Sequence, residues 1–124
     1  MSQQLRESER KFLRLYMEWL NTVEEGLMSV SSFYREGHTD SGDRLLAQMM
    51  EGFVPFDASN MTMKYIFGRE EKHEEELNRF QEVVEKASAI EELNEEGERF
   101  RFLTKEIIPA FQRWKLIVWQ VAGK

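Results

Sequence analysis

The sequence of 124 residues contains no cysteine, two prolines, seven glycines and two histidines. The absence of cysteine excludes disulfides, thiolate zinc sites, cysteine nucleophiles and iron–sulfur clusters held by cysteine. The low proline and glycine content argues against a turn-rich β architecture. Two histidines offer few imidazoles for acid–base or metal chemistry. Together these absences favour a helical chain without the usual parts of a catalytic site.

Long apolar runs and an excess of positive charge are also missing. No segment approaches the ~20 apolar residues of a membrane span, and the polar residues 1–11 lack the apolar core of a secretion signal. The formal net charge is −6, from 23 acidic and 17 basic residues. Such a chain repels nucleic acid and anionic lipid on average. We therefore expect a soluble cytoplasmic protein that binds no nucleic acid, no membrane and no cofactor.

The residues that are present predict a folded helical domain. Hydrophobic residues make up 41% and aromatic residues 12% of the chain, which is too apolar for a disordered acidic tail. Glu, Lys, Arg, Leu and Met are abundant, and all of them favour helix. A chain of this length is sufficient for one hydrophobic core. We expect a single helical-bundle domain over residues 1–124.

Apolar residues recur at steps of three and four along four segments, which is the spacing of amphipathic helices. These segments are residues 5–35, residues 42–67, a stretch from Glu70 to a break near Ser88, and the remainder up to the C-terminus. The connections between them are short, so neighbouring helices should be antiparallel. The sequence therefore predicts an all-α fold, a four-helix up-and-down antiparallel bundle.

Four residues interrupt the predicted helices 2 and 4. Pro55 and Pro109 should kink them, since proline removes a backbone hydrogen bond; the kinks either wrap the helices around the core or open a cleft. Asn60 is either a buried amide that fixes helix register or a mark of an exposed seam. Gly97 marks a bend, a close contact or the true start of helix 4. Before it, Ser88-x-x-Glu91 has the spacing of a helix-starting capping box.

The sequence holds one weak candidate for metal chemistry. Glu70-x-x-His73 has the spacing found on the helices of di-iron bundle proteins. Such sites need a second motif of this kind and two further glutamates, whereas the other histidine, His38, lies in a predicted loop. Paired carboxylates occur in charge runs, which are typical of solvated faces, and no glycine-rich phosphate loop is present. We therefore predict neither a metal site nor an enzyme.

Apolar residues beyond the needs of a core suggest a binding surface. Methionine is flexible and suits adaptable grooves for partner helices, although it also fills gaps in cores. Exposed aromatic residues mark interfaces. The partner-binding residues predicted on helix 2 and helix 4 are Met49, Met50, Phe53, Met61, Met63, Trp114, Leu116 and Trp119.

Two segments carry a resemblance to known families. Residues 45–53, Leu-Leu-Ala-Gln-Met-Met-Glu-Gly-Phe, resemble the Leu-rich, Glu-Gly-containing helix of flagellin export chaperones, which are small cytoplasmic helical bundles of bacteria. Here the segment falls on helix 2 rather than near the N-terminus. The chain as a whole, including residues 107–114, is similar to small uncharacterised bacterial bundle proteins. The resemblance implies a bundle that binds another protein.

Three functions follow as hypotheses. The leading one is a non-enzymatic adaptor or export-chaperone-like bundle that holds a partner helix on its Met-rich helix 2 and aromatic helix 4. The second is a small-ligand or metal-binding bundle, with a cavity opened by the kinks at Pro55 and Pro109. The third is a structural homodimer in a larger assembly, with Leu116 and Trp119 in its interface.

Overall fold

The computed structural model describes residues 5–95 and 97–123, and every regular element in these two stretches is helical. The α-helices are α1 (Glu7–Arg35), α2 (Thr39–Phe53), α3 (Met61–Phe67), α4 (Glu71–Ala87), α5 (Glu98–Phe102) and α6 (Ile108–Ala122). Two 3₁₀ turns, Val54–Phe56 and Ile90–Glu92, and a π turn, Leu103–Ile107, lie between them. The prediction of an all-α fold is confirmed.

Helix α1 agrees with the predicted range of 5–35 to within two residues. The carboxylate of Glu9 accepts the backbone N–H of Arg6 at 2.9 Å, which satisfies a donor at the helix start. At the other end Gly37 has a φ of 84°, a conformation that glycine adopts without steric cost. The inward stripe of α1 comprises Leu13, Tyr16, Leu20, Val23, Leu27 and Val30.

The predicted second helix, residues 42–67, is two helices, so this part of the prediction is wrong. Helix α2 ends at Phe53, and a 3₁₀ turn containing Pro55 follows it. Asn60 then begins α3: its Oδ1 accepts the backbone N–H of Met63 at 3.1 Å, and its Nδ2 donates to the Pro55 carbonyl at 2.9 Å. Asn60 is thus a helix cap and not a buried register residue.

Two predictions concern the boundary before the last helical segment: the capping box at Ser88 and the role of Gly97. Ser88 directly follows α4, and its Oγ donates to the carbonyl of Glu85 at 2.6 Å. The predicted capping box at Ser88 is therefore wrong. Gly97 has a φ of 87° and directly precedes α5. Of the three interpretations of Gly97, the start of a helix is correct.

A π turn joins α5 to α6 and precedes Pro109. Helical backbone angles continue on both sides of it, with φ/ψ of −62°/−44° at Phe102 and −60°/−47° at Ile108. Pro109 has no N–H to donate to the carbonyl of Lys105, so a regular α-helical bond is absent at this point. A kink was predicted at Pro109, and what the structure has there is a wider turn in the residues before it.

The core is built from buried residues of several helices, α3 included. Helix α1 contacts α2 and α6, and α4 contacts the same two helices. At the centre, the rings of Phe80 and Phe53 meet edge to face with centroids 4.9 Å apart, and Trp114 stacks on Phe80 at 6.5 Å. The indole N–H of Trp114 donates to the Tyr16 hydroxyl at 2.9 Å. Within the described residues, every buried side-chain nitrogen and oxygen has a hydrogen-bond partner.

Candidate functional site

Four of the predicted partner-binding residues belong to the core. Met50, Phe53, Met63 and Trp114 are all buried, because each occupies the inward stripe of its helix. Phe53 packs against Trp19 with ring centroids 4.2 Å apart. The prediction that these four side chains offer a surface to a partner is wrong, since a partner could reach them only by opening the core.

The other four predicted residues lie at or near the surface, in three places. Met49 is partly buried and faces Gly26 of α1. Met61 is 60% exposed on α3, one turn from the exposed Tyr65. Leu116 and Trp119 lie on α6 and are 52% and 65% exposed. Of these residues, Trp119 lines a groove, to which Met61 of α3 contributes no lining.

This groove runs between α1 and α6, and we call it the α1–α6 groove. It contains two cavities. The first, of about 330 Å³, is the Met28 cavity, lined by Glu24, Glu25, Leu27, Met28, Ile108, Phe111 and Gln112. The second, of about 530 Å³, is the Trp119 cavity, lined by Arg10, Leu13, Arg14, Met17, Glu18, Asn21, Trp119 and Ala122. Both volumes fall within the range of binding pockets in proteins.

An ion pair crosses the groove between the two cavities. The Nζ of Lys115 on α6 lies 2.9 Å from the Oε1 of Glu24 on α1. Lys115 falls between the α6 residues that line the Met28 cavity and those that line the Trp119 cavity. Because the Glu24 side chain is 46% exposed, the pair contributes at most about 1 kcal/mol. The ion pair therefore separates the two cavities, but it is weak enough for a ligand that covers both of them to displace it.

The residues that line the Met28 cavity differ in burial. Leu27 and Phe111 belong to the core, whereas Met28 is 64% exposed. The cavity adjoins the start of α6, directly after the π turn, and π turns occur frequently at functional sites. Exposed Met and Trp side chains beside open apolar cavities are typical of interaction surfaces. The α1–α6 groove is therefore the candidate binding site.

A polar cluster ties α1, α2 and α5 together elsewhere. The Nε of Arg99 lies 3.0 and 3.1 Å from the two carboxylate oxygens of Asp43, and Tyr34 donates to the same carboxylate at 2.7 Å. Arg99 also donates to the carbonyls of Leu93 and Glu91, at 2.7 and 3.3 Å. Burial, the hydrogen bond to Asp43 and its charge raise the pKa of Tyr34. This cluster holds the fold together rather than facing a ligand.

The two side chains of the Glu70-x-x-His73 motif lie next to each other in the structure. His73 is buried, and its Nε2 lies 3.4 Å from the Oε2 of Glu70. Among residues 5–95 and 97–123, no three His, Asp or Glu side chains converge in a way that would hold a metal ion. Nor, in the same residues, does any helix have the length and apolar character needed to cross a membrane.

Sequence reasoning missed several residues of the groove. Met28 was not among the predicted partner-binding residues, yet its side chain is exposed and lines a cavity of the groove. Arg14 and Glu25 have no distinguishing sequence pattern, because solvated helix faces commonly carry such residues. The pairing of Asp43 with Arg99 joins positions 56 residues apart. A hydrophobic pattern describes the faces of each helix but not which helices are neighbours.

The described residues thus form a small all-helical fold with a groove between two of its helices. The model of a protein family described as "Domain of unknown function (DUF8042)" matches residues 11–117. The chain belongs to this family. The match includes Leu116 and all residues of the Met28 cavity, and it ends two residues before Trp119. Neither a curated protein nor a solved structure matches the chain.

Proposed function

We propose that this protein is a non-enzymatic binding module, an adaptor or export-chaperone-like protein, that holds a partner helix in the α1–α6 groove. One observation carries the proposal: Trp119 is 65% exposed and lines a cavity of about 530 Å³ in a groove with a second cavity. Tryptophan is enriched among the residues that dominate binding energy at interfaces. Amphipathic helices commonly dock into grooves of this kind through regularly spaced apolar anchors.

The separation of the cavities suits a helical partner. Phe111 and Trp119 lie eight positions apart on α6, which corresponds to about 12 Å along a helix axis. A partner helix of about three turns therefore spans both cavities with one apolar anchor in each. The acidic and basic side chains along the groove would then contact polar residues at the edges of that helix.

The resemblance to export chaperones relates to the core more than to the groove. In residues 45–53, the side chains of Leu46, Met50 and Phe53 are buried. The likeness therefore supports a bundle architecture, and the surface used for binding is proposed from the groove alone.

For that architecture we propose a four-helix up-and-down antiparallel bundle of α1, α2, α4 and α6. Contacts along neighbouring helices support opposite directions. Tyr34, at the end of α1, bonds to Asp43 near the start of α2, whereas Trp19, earlier in α1, packs on Phe53 at the end of α2. The residue numbers thus rise along α1 as they fall along α2, which is the order expected in an up-and-down bundle.

Site-specific crosslinking in cells tests the proposed function. A photoreactive amino acid replaces Gln112, which lines the Met28 cavity, and in a matched control it replaces Met61, which is outside the groove. We expect the Gln112 position to crosslink to a defined protein segment that the Met61 position does not capture. A synthetic peptide of that segment should lose about thirtyfold or more in affinity for Trp119→Ala. Unchanged affinity for both Trp119→Ala and Met28→Ala would contradict the proposal.

A small apolar ligand in the Met28 cavity is a second candidate function. The cavity adjoins Pro109, where a kink was expected to open space, and Leu27, Met28, Ile108 and Phe111 supply an apolar lining. Native mass spectrometry of freshly purified protein tests this function. A bound mass that disappears in Met28→Trp, which fills the cavity, supports it, whereas a mass equal to that of the bare chain argues against it.

A further inference from the structure

We infer that the occupant of the α1–α6 groove is the same groove of a second copy of this chain. In this two-fold symmetric dimer, Trp119 of each copy enters the Met28 cavity of the other. The inference rests on the proposed binding function of the groove and names its partner. It follows from the positions of a projecting side chain, a receiving cavity and charges of opposite sign along one surface.

The projecting group and the receiving cavity lie at opposite ends of the groove. Trp119 projects into solvent at one end, and the apolar Met28 cavity opens at the other. A two-fold interface uses the same patch on both copies. The patch must therefore contain both the projecting side chain and the cavity that accepts it. An axis through the middle of the groove exchanges its ends and brings each Trp119 to the opposite Met28 cavity. One operation thus covers two exposed tryptophans and fills two cavities.

The charges at the two ends of the groove are also complementary when the two-fold axis exchanges these ends. Arg10 and Arg14 line the Trp119 cavity together with Glu18, whereas Glu24 and Glu25 line the Met28 cavity. The same exchange therefore brings a mainly basic end to an acidic end, twice in each dimer. An unrelated partner helix would need the opposite charge order by coincidence, whereas a second copy carries it by symmetry. Complementary potentials of this kind favour one partner and one register.

One register on α1 satisfies these charges without a clash. Glu24 already pairs with Lys115, but Arg14 and Glu25 are exposed and form no ion pair with another described residue. Suppose that the α1 helices of the two copies cross antiparallel with Arg14 of one copy opposite Glu25 of the other. Glu18 then lies opposite Asn21, because both pairs of positions are centred between residues 19 and 20. The central contact then avoids two facing carboxylates. We therefore take Arg14 and Glu25 as the reciprocal ion pair.

Equilibrium sedimentation of the full chain measures the dimer. We expect a reversible dimer for the wild type and a dissociation constant raised about thirtyfold or more in Trp119→Ala. Met61→Ala is the matched control, because Met61 is exposed to a similar degree but lies on α3 outside the groove; it should leave the dimer unchanged. At a protein concentration low enough for both variants to be monomeric, circular dichroism should show the same helix content and melting temperature in both, since surface substitutions change stability by about 0.5 kcal/mol or less.

Charge exchange tests the two-fold symmetry. Arg14→Glu and Glu25→Arg should each weaken the homodimer by about tenfold or more, because each creates two like-charge contacts. When the two variants are mixed, every contact pairs opposite charges again. The heterodimer should therefore form with a dissociation constant within about threefold of the wild type. Failure of the mixture to recover association would overturn the reciprocal arrangement.

The outcomes separate this inference from the proposed function. A wild type that remains monomeric at all concentrations, or a dimer that Trp119→Ala does not weaken, overturns the inference. If the monomer still crosslinks through Gln112 to a different protein whose binding requires Trp119, the proposed function holds and only its partner was misidentified. If neither self-association nor any other binding depends on Trp119 and Met28, both proposals fail.

Discussion

Asp43→Asn should destabilise the fold more than any exposed ion-pair substitution. The buried carboxylate of Asp43 accepts the Arg99 guanidinium at 3.0 and 3.1 Å and the Tyr34 hydroxyl at 2.7 Å. Asparagine has a similar shape, but it cannot offer Arg99 a negative charge, and its amide NH₂ replaces one of the two acceptor oxygens. The substitution therefore leaves a poorly compensated cation between α2 and α5.

The surroundings of Arg99 determine how much free energy of unfolding Asp43→Asn should remove. Removing one partner of a buried ion pair costs about 3–5 kcal/mol. The side chain of Arg99 is 21% exposed and keeps its hydrogen bonds to two carbonyls, so water and these carbonyls compensate part of the loss. We expect a loss of about 2–3 kcal/mol in the free energy of unfolding. For a chain of 124 residues, this lowers the melting temperature by about 8–12 °C.

Urea and thermal unfolding, followed by circular dichroism, measure this loss. The matched control is Glu106→Gln in the exposed pair Lys86–Glu106, in which nitrogen and oxygen lie 3.9 Å apart. It should change the free energy of unfolding by less than about 1 kcal/mol. If Asp43→Asn proves as mild as this control, the Asp43–Arg99 contact does not hold α5 in place and the reasoning is refuted.

The same variant should change the alkaline titration of Tyr34. Burial, the hydrogen bond to Asp43 and the charge of Asp43 raise the pKa of Tyr34 in the folded chain. The unfolded phenol loses its proton near pH 10 while the folded one keeps it, so this contribution to stability is full below about pH 10 and is lost as the pH rises above it. Asp43→Asn lowers the folded pKa and reduces this loss. Ultraviolet difference spectra, with Tyr34→Phe to assign the signal, should show ionisation at lower pH.

Two further predictions concern the core. Tyr16→Phe leaves the buried indole N–H of Trp114 without its acceptor and should cost about 1–3 kcal/mol in urea unfolding; a change near zero would mean that another acceptor replaces the hydroxyl. Gly52→Ala should cost about 1–3 kcal/mol, because the new Cβ would lie 2.6 Å from the ring of Trp19, which neighbouring rings hold in place. Gly26→Ala, which meets only a flexible methionine, should be close to neutral in the same assay, and equal losses in the two variants would contradict this distinction.

The sequence predicted the helical character well and the helix breaks less well. Spacing by three and four located α1 to within two residues, because a long amphipathic stripe has one geometric solution. The same spacing continues across the break after Phe53. Periodicity alone therefore could not separate α2 from α3, and the capping role of Asn60 depends on a hydrogen bond from the backbone N–H of Met63 that only a three-dimensional structure shows.

The candidate site was predicted in part. The apolar surplus on the last helix located Leu116 and Trp119, which the structure exposes. Met50 and Trp114 were expected on the same surface but fill the core, because residue type does not distinguish a buried methionine or tryptophan from an exposed one. The α1–α6 groove was not predictable, since it depends on α1 and α6 being neighbours and no sequence pattern specifies that pairing.

The number of residues in the π turn determines which way α6 and its Trp119 side chain face. Arg99 fixes α5 to α2 on one side of the turn, and the hydrogen bond of Trp114 to Tyr16 fixes α6 on the other. Each residue adds a rotation of about 100° along a helix. Deleting Thr104 would therefore rotate α6 relative to α5, so that both attachments could not form together. One of them would have to break, or Trp119 would face a different direction. A homologue with one residue fewer between these attachments should present a different groove, even if all other residues were identical.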